Sequence, residues 1–179
     1  MTPMPKLEYA LRSAGVGDEE ALALVGAASF LEAFAGILQG PNILAHCRKQ
    51  HSAEKYRAWL QSKQAHVCLA EVAGAPVGYA VLCPPDLPID LRPDDLELKR
   101  IYLLHRFQGR GIGAALMNWS IAKAQALRWR RLLLGVYAGN EGALEFYTRS
   151  GFEKVGTRSF QVGEQICEDL ILARGLQTG

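Results

Sequence analysis

A run rich in branched and aromatic residues, Leu96 to Leu104 (LELKRIYLL), leads through three residues into Gln108-Gly109-Arg110-Gly111-Ile112-Gly113. Beyond it, Ile112, Ala115, Leu116, Trp119 and Ala122 recur at helical spacing, while Asn118, Lys123 and Gln125 fall on the other side. Strand, glycine-rich turn and helix in that order constrain this chain more than any other feature. Glycine lets a backbone come close to a ligand, successive N–H groups then point at one place, and the helix N-terminus adds positive potential. The turn therefore reads as a phosphate cradle, flanked by Arg106 and Arg110 with no acid beside them.

The spacing limits which phosphate ligand fits. Gly109-x-Gly111-x-x-Ala114 formally meets the dinucleotide pattern, but that pattern needs an acid about 20 residues further on. The next acid after Gly113 is Glu141, beyond the following strand, so the dinucleotide reading fails. No Gly-Lys-Ser/Thr follows either, which excludes a P-loop.

The remaining chain supplies strands and helices around this centre. Tyr9–Arg12 reads as a short first strand. Asp18 to Phe34 reads as a helix, with Asp18 as cap and Glu19 and Glu20 at the positive end of its dipole. One or two short helices fall within Ile43 to Gln61. His66–Val72 and Val77–Leu82 form a hairpin about Ala73-Gly74-Ala75-Pro76. Pro84, Pro85, Pro88 and Pro93 make the next stretch a loop. Leu132–Tyr137 reads as a strand buried on both faces. Asn140 is an N-cap for Glu141–Arg149, with Gly151 at C′, and Phe152–Val155 and Ile166–Ala173 complete the strand set. The order is that of a mixed α/β domain.

Charge sharpens the picture. The 179 residues carry 20 Lys+Arg and 18 Asp+Glu, a net charge of +2. Lys99 to Asn140 nevertheless holds eight basic residues and no acid, which leaves −6 for the rest. A small polyanion, not nucleic acid, is the expected partner of that module. No signal-peptide-like run occurs in Met1 to Gly15 and no 18-residue apolar stretch occurs anywhere, so a membrane partner is not expected. Cys47, Cys68, Cys83 and Cys167 are scattered without metal spacing. They read as reduced core thiols of a cytoplasmic protein with no metal site.

Gln108-Gly109-Arg110-Gly111-Ile112-Gly113 matches the Q/R-x-x-G-x-G/A signature of the GNAT (GCN5-related N-acetyltransferase) family. Asn140-Glu141-Gly142-Ala143-Leu144-Glu145-Phe146-Tyr147-Thr148-Arg149-Ser150-Gly151-Phe152 resembles that family's second signature. The resemblance covers Tyr9 to Ala173, within one N-acetyltransferase domain over residues 1–179 with its core at about 7–174. It implies an α/β (α+β) fold with a mixed, mostly antiparallel sheet of six to seven strands, flanked by helices and splayed between strands 4 and 5. It also implies acetyl-CoA as cosubstrate. Its pyrophosphate would sit on Gln108, Gly109, Arg110, Gly111, Ile112 and Gly113, and its pantetheine arm along the backbone of Ile101, Tyr102 and Leu103. Asn140 would bind the cofactor too, although as a pure N-cap it reads the same.

The implied reaction is direct attack of an amine on the thioester. The Leu103 N–H would stabilise the oxyanion, and Tyr147 would protonate the leaving thiolate. An alkylammonium has a pKa near about 10, so a base is needed. Glu97 is the candidate, placed by simple alternation on one face with Lys99 and Ile101. Lys99 occupies the position where some relatives carry an acid, so a simple glutamate base is a departure from the pattern. Asp18 to Gly36, Leu98 to Leu103 and Phe160 to Leu172 resemble the bacterial spermidine/spermine acetyltransferase branch. Asp86, Asp90, Asp94, Asp95 and Glu97, with Glu164, Glu168 and Asp169, are acids suited to a polycation, and equally to a solvated surface. A small-molecule amine acceptor is expected, polyamine-like first. A protein N-terminus or lysine acceptor, a silent acetyl-CoA-binding domain and a homodimer stay open.

Overall fold

His66–Val72 (β2) and Ala75–Cys83 (β3) form the expected antiparallel hairpin, extended by one edge strand, Ala10–Ser13 (β1). The computed structural model describes residues 7–177, so the first six residues of the Met1–Gly15 stretch lie outside it. The sheet continues through β4 (Asp95–Leu103), β5 (Arg131–Tyr137), β6 (Glu153–Val162) and β7 (Gln165–Gly175). Its seven strands run in the order β1-β2-β3-β4-β5-β7-β6, antiparallel except for β4 with β5. The mixed sheet expected from the sequence is therefore present.

Helices cover both faces. α1 (Glu19–Phe34), α2 (Gly40–Gln50) and α3 (Ala53–Gln61) lie on one. Leu22, Val25 and Tyr56 there bury against Val67, Leu69, Tyr79 and Val81 of β2 and β3. α4 (Ile112–Ala126) and α5 (Glu141–Arg149) lie on the other. Ile112, Leu116, Met117 and Tyr147 there bury against Ala80, Leu82, Leu96, Leu98, Leu134 and Val136. Each fully buried Leu or Val contributes about 1.5–3 kcal/mol over leaving it exposed, so these two layers hold the sheet between them. Among the described residues no helix is long and apolar enough to cross a membrane.

Several sequence readings shift. β6 runs to Val162, well past Val155, because it pairs with β7 throughout. As an edge strand it carries Thr157 and Ser159 outward, which masks the apolar alternation. α2 begins at Gly40, with Pro41 in its first turn, the position where a missing N–H costs nothing. Asp18 does not cap α1 through its side chain. Its carboxylate accepts from Arg12 at 2.8 and 2.9 Å and from the Gly15 N–H at 2.9 Å, so the ion pair with Arg12 of β1 displaces the cap.

The largest change is in β4. Leu98 pairs with Leu82 and Arg100 with Val81, which leaves Lys99 as the extra residue of a β-bulge. A bulge shifts the alternation by one. Before it, Leu96 and Leu98 face α4; after it, Ile101 and Leu103 do. Glu97, Arg100 and Tyr102 therefore share the opposite face, toward α1 and α3. The sequence expectation that Glu97 lies with Ile101 is corrected by this single inserted residue.

Candidate active site

β4 and β5 stay paired only from Asp95–Arg131 to Glu97–Leu133. At that closed end Arg131 grips Asp95 by two hydrogen bonds of 2.7 Å, and Asp95 also accepts from the Arg92 N–H at 2.7 Å. Burial pushes the Asp95 carboxyl up, yet these donors outweigh it and hold the group below the usual carboxylate range. Beyond Glu97 the two strands part. Ile101, Tyr102 and Leu103 keep β3 on one edge and, among the described residues, have no strand on the other.

The glycine turn stands at the open end. Gly109 and Gly111 have φ of +73° and +88°, conformations that side chains disfavour, and a Cβ built on either meets nothing within 4 Å. Gly111 is the N-cap of α4, whose first-turn N–H groups have no intrahelical acceptor. The result is an exposed turn of backbone donors with open space over its glycines. Arg106 and Arg110 lie exposed beside it, and the Gln108 amide donates to the Leu103 carbonyl at 3.1 Å.

The second motif meets the first. A Cβ on Gly113 would lie 3.9 Å from the Phe146 ring of α5. The Asn140 Oδ1 accepts the Ala143 N–H at 3.1 Å, so Asn140 is engaged as the N-cap of α5. Tyr147 is buried between Phe146 and Phe152 on the same face as Ile101 and Leu103. Burial pushes its phenol well above the ordinary value, with Tyr102 adding to the rise, so it keeps its proton at neutral pH.

The basic module is less uniform than its sequence window. Arg130 and Arg131 pair with Asp94 and Asp95 at the closed end, and Lys99 pairs with Glu97 at 3.2 Å. Arg106 and Arg110 are the two arginines left at the cradle. A count along the chain does not register such cross-strand partners.

The α1 and α3 face of the gap carries a different set. Glu97 is 1% exposed, with Oε1 on Lys99 and Oε2 accepting the Asp86 N–H at 2.9 Å. Arg100 is buried, donates to the Tyr56 hydroxyl at 2.6 Å, and stacks on the rings of Tyr56 and Trp59. The Tyr56 hydroxyl also bonds Tyr79, and it lies 2.9 Å from His51 Nδ1. Burial and the Arg100 charge hold His51 neutral, its pKa down to about 2, while His46 falls to about 4. From β6 and β7, Arg158 and Asp169 pair at 3.0 Å. None of Arg100, His51 or Arg158 was among the expected site residues. Arg158 and Asp169 are direct cross-strand partners, a signal hidden by reading β6 too short.

Comparison with known proteins assigns the whole. Residues 31–152 match the acetyltransferase (GNAT) family model. An uncharacterized N-acetyltransferase of Mycobacterium tuberculosis strain H37Rv is 31% identical over 159 residues, covering 89% of this chain and 98% of the relative. The chain belongs to the GNAT family. An uncharacterized N-acetyltransferase of Methanocaldococcus jannaschii is 37% identical over 111 residues, 60% of this chain and 48% of the relative. Among solved structures, the PaiA N-acetyltransferase from Thermoplasma acidophilum in complex with coenzyme A has a similar fold. Its TM-score is 0.78 at 21% identity, covering 94% of this chain and 99% of that one. The ribosomal-protein-S18-alanine N-acetyltransferase from Escherichia coli shares the fold at a TM-score of 0.70 and 17% identity, covering 96% of each. This GNAT protein is thus an N-acetyltransferase by class.

Proposed function

We propose that this enzyme moves an acetyl group from acetyl-CoA to the primary amine of a small molecule, by direct attack within a ternary complex. The observation that carries the reading is the parting of β4 from β5 beside an open glycine cradle. In this reading Gln108 to Gly113 hold the pyrophosphate on backbone N–H groups, with Arg106 and Arg110 adding charge. The pantetheine arm extends β3–β4 as an added strand along Ile101 to Leu103. Asn140 borders the cofactor while capping α5.

The chemistry needs three assisted events. The Leu103 N–H is assigned to the oxyanion of the tetrahedral intermediate, where a fixed donor gains most as charge develops. Tyr147 is assigned to protonate the sulfur, a role supported by its buried, protonated phenol on the cofactor face. Glu97 stays in the reading as a candidate for removing the amine proton, although both its oxygens already hold partners.

A polyamine-like acceptor is the favoured substrate class within this reading. Its support is the exposed carboxylates of Asp86 and Asp90 on the β3–β4 loop and of Glu164 in the β6–β7 turn. Asp94, Asp95, Glu97 and Asp169 each sit beside a cation, so they contribute less to that support. A CoA-release assay with acetyl-CoA against spermidine, spermine, an aminoglycoside, free amino acids and N-terminal peptides tests the proposal. Turnover with a small amine and not with peptides supports it; turnover with peptides alone moves the assignment to protein acetylation.

A further inference from the structure

The acceptor-side face of the gap holds two buried carboxylates, and they differ in one respect. Glu97 has both oxygens engaged. Asp169 is 4% exposed, and only its Oδ2 is engaged, by Arg158 Nε at 3.1 Å and Nη2 at 3.0 Å. Its Oδ1 is buried with no donor among the described residues. A buried carboxylate oxygen loses its hydration without a donor in return, so it marks a place where a donor arrives.

The strand register says where that oxygen lies. Asp169 pairs with Tyr137 of β5 on one side and with Arg158 of β6 on the other. Direct partners share a face, so Asp169, Tyr137, Gly135 and Arg158 lie on the face that carries Arg100 and Tyr102 across the gap. Gly135 then opens a lane over β5. A Cβ there would stand 2.7 Å from Arg158 Nη2 and 3.0 Å from its Cζ. The guanidinium therefore leans from β6 across β7 and over β5, and it brings Asp169 Oδ2 with it. The other edge of β5 at this level is the gap itself, since pairing with β4 has ended at Leu133.

We propose that Asp169 is the acceptor's proton-taking group, its Oδ1 receiving an N–H of the incoming primary ammonium at the α1-side mouth of the gap. This rests on the acetyl-transfer reading above. Arg158 is the positioning residue that holds the carboxylate over Gly135. The step balances as follows. The ammonium gives one proton to the Asp169 carboxylate, and the freed lone pair bonds the thioester carbon. The C–S bond breaks with its electron pair on sulfur. Tyr147 protonates that sulfur and recovers the remaining surplus proton of the nitrogen, while the Asp169 proton passes to water. The products are the acetylamide, CoA thiol and one proton.

The surroundings suit the role. The charged and titratable groups shown against Asp169 are Arg158 from β6, Tyr102 from β4 and Cys167 on its own strand, with Tyr137 of β5 as its direct register partner. α1 contributes the apolar rings of Phe30 and Phe34. Burial raises the Asp169 carboxyl above its ordinary range despite Arg158, which brings it closer to the neutral pH at which a base is most useful. The Asp169 charge in turn adds to the rise of the Tyr102 phenol on the opposite wall.

The test compares Asp169→Asn with Glu97→Gln, using the amine of highest kcat/KM from the release assay. Asp169→Asn is expected to lower kcat by roughly 100-fold or more at pH 7, with acetyl-CoA affinity unchanged within about twofold. Its kcat/KM should then climb about tenfold per pH unit toward the amine's own pKa, because only free amine reacts. Arg158→Gln combined with Asp169→Asn removes both charges together, so neither is left buried alone, and should give the same profile. Glu97→Gln, at the other carboxylate of this face, shows by its own acid limb which of the two takes the proton. An Asp169→Asn enzyme with wild-type kcat and acid limb overturns the proposal, as does a displaced limb in Glu97→Gln alone. A wild type that releases CoA with no amine overturns the transfer reading and this proposal together, which separates the two failures.

Discussion

Arg100 donates from Nη1 to the Tyr56 hydroxyl at 2.6 Å, deep beneath α3, and no carboxylate ion-pairs with it among the described residues. A buried cation supported by one hydroxyl, a histidine ring nitrogen at 3.3 Å and aromatic faces is a costly element of a fold. Tyr56→Phe removes a hydrogen bond to a charged group and is expected to destabilise by about 1.5–3 kcal/mol. Arg100→Met fills a similar volume without charge and should leave stability equal or higher. Urea unfolding of the two variants distinguishes them, and a large loss for Arg100→Met contradicts this account.

Gly135→Ala tests the lane over β5. The added methyl would displace the Arg158 guanidinium, so stability should fall by about 1–3 kcal/mol. The functional signature is more telling: acceptor kcat/KM should drop while acetyl-CoA affinity, set on the other face, holds. Calorimetric titration with acetyl-CoA beside steady-state kinetics reads both.

Gly111→Asp places a side chain at φ +88° and a negative charge in the cradle. Loss of measurable acetyl-CoA binding is expected, with the sheet intact by circular dichroism. Unchanged affinity would falsify the cradle assignment.

Tyr147→Phe keeps the ring that packs between Phe146 and Phe152 and deletes the proton. We expect kcat to fall roughly 100-fold with little change in acetyl-CoA affinity. An equal loss in both would make Tyr147 a packing residue.

Acid stability follows from the two histidines. His46 and His51 are neutral in the fold, with pKa lowered by burial and by Arg100 to about 4 and about 2. The unfolded chain takes up their protons near pH 6.5, before the native state does. Stability is thus full above pH 6.5 and falls as pH drops toward 4, by roughly 1 kcal/mol per pH unit for His51 and by less for the half-buried, solvent-screened His46. Urea midpoints at pH 7, 6 and 5 measure this. His51→Asn should flatten the slope.

Much of this molecule was legible from residue patterns. The hairpin at Ala73-Gly74, the cradle, the Asn140 cap and the Gly151 stop were all visible, because each depends on a local conformational preference. What escaped depends on partners distant in sequence. The bulge at Lys99 has no local marker; it exists only against Val81 and Leu82 of β3. Asp18 failed as a cap because Arg12, across the turn, competes for it. The +8 window promised a uniform basic wall, yet Arg130, Arg131 and Lys99 are neutralised by acids the window did not contain or did not orient. Asp169 was noticed only as one acid among several, since its free oxygen is a property of packing.

The bulge in β4 also bears on how such an enzyme diverges. After Lys99, consecutive residues of one strand alternate between two layers, Ile101 and Leu103 toward α4, Arg100 and Tyr102 toward α1 and α3. Under the proposed acetyl transfer, point substitutions at Arg100 or Tyr102 would retune amine preference while the backbone and the residues between them keep the same grip on the acyl donor. A single strand is then free to drift in specificity without first losing its cosubstrate.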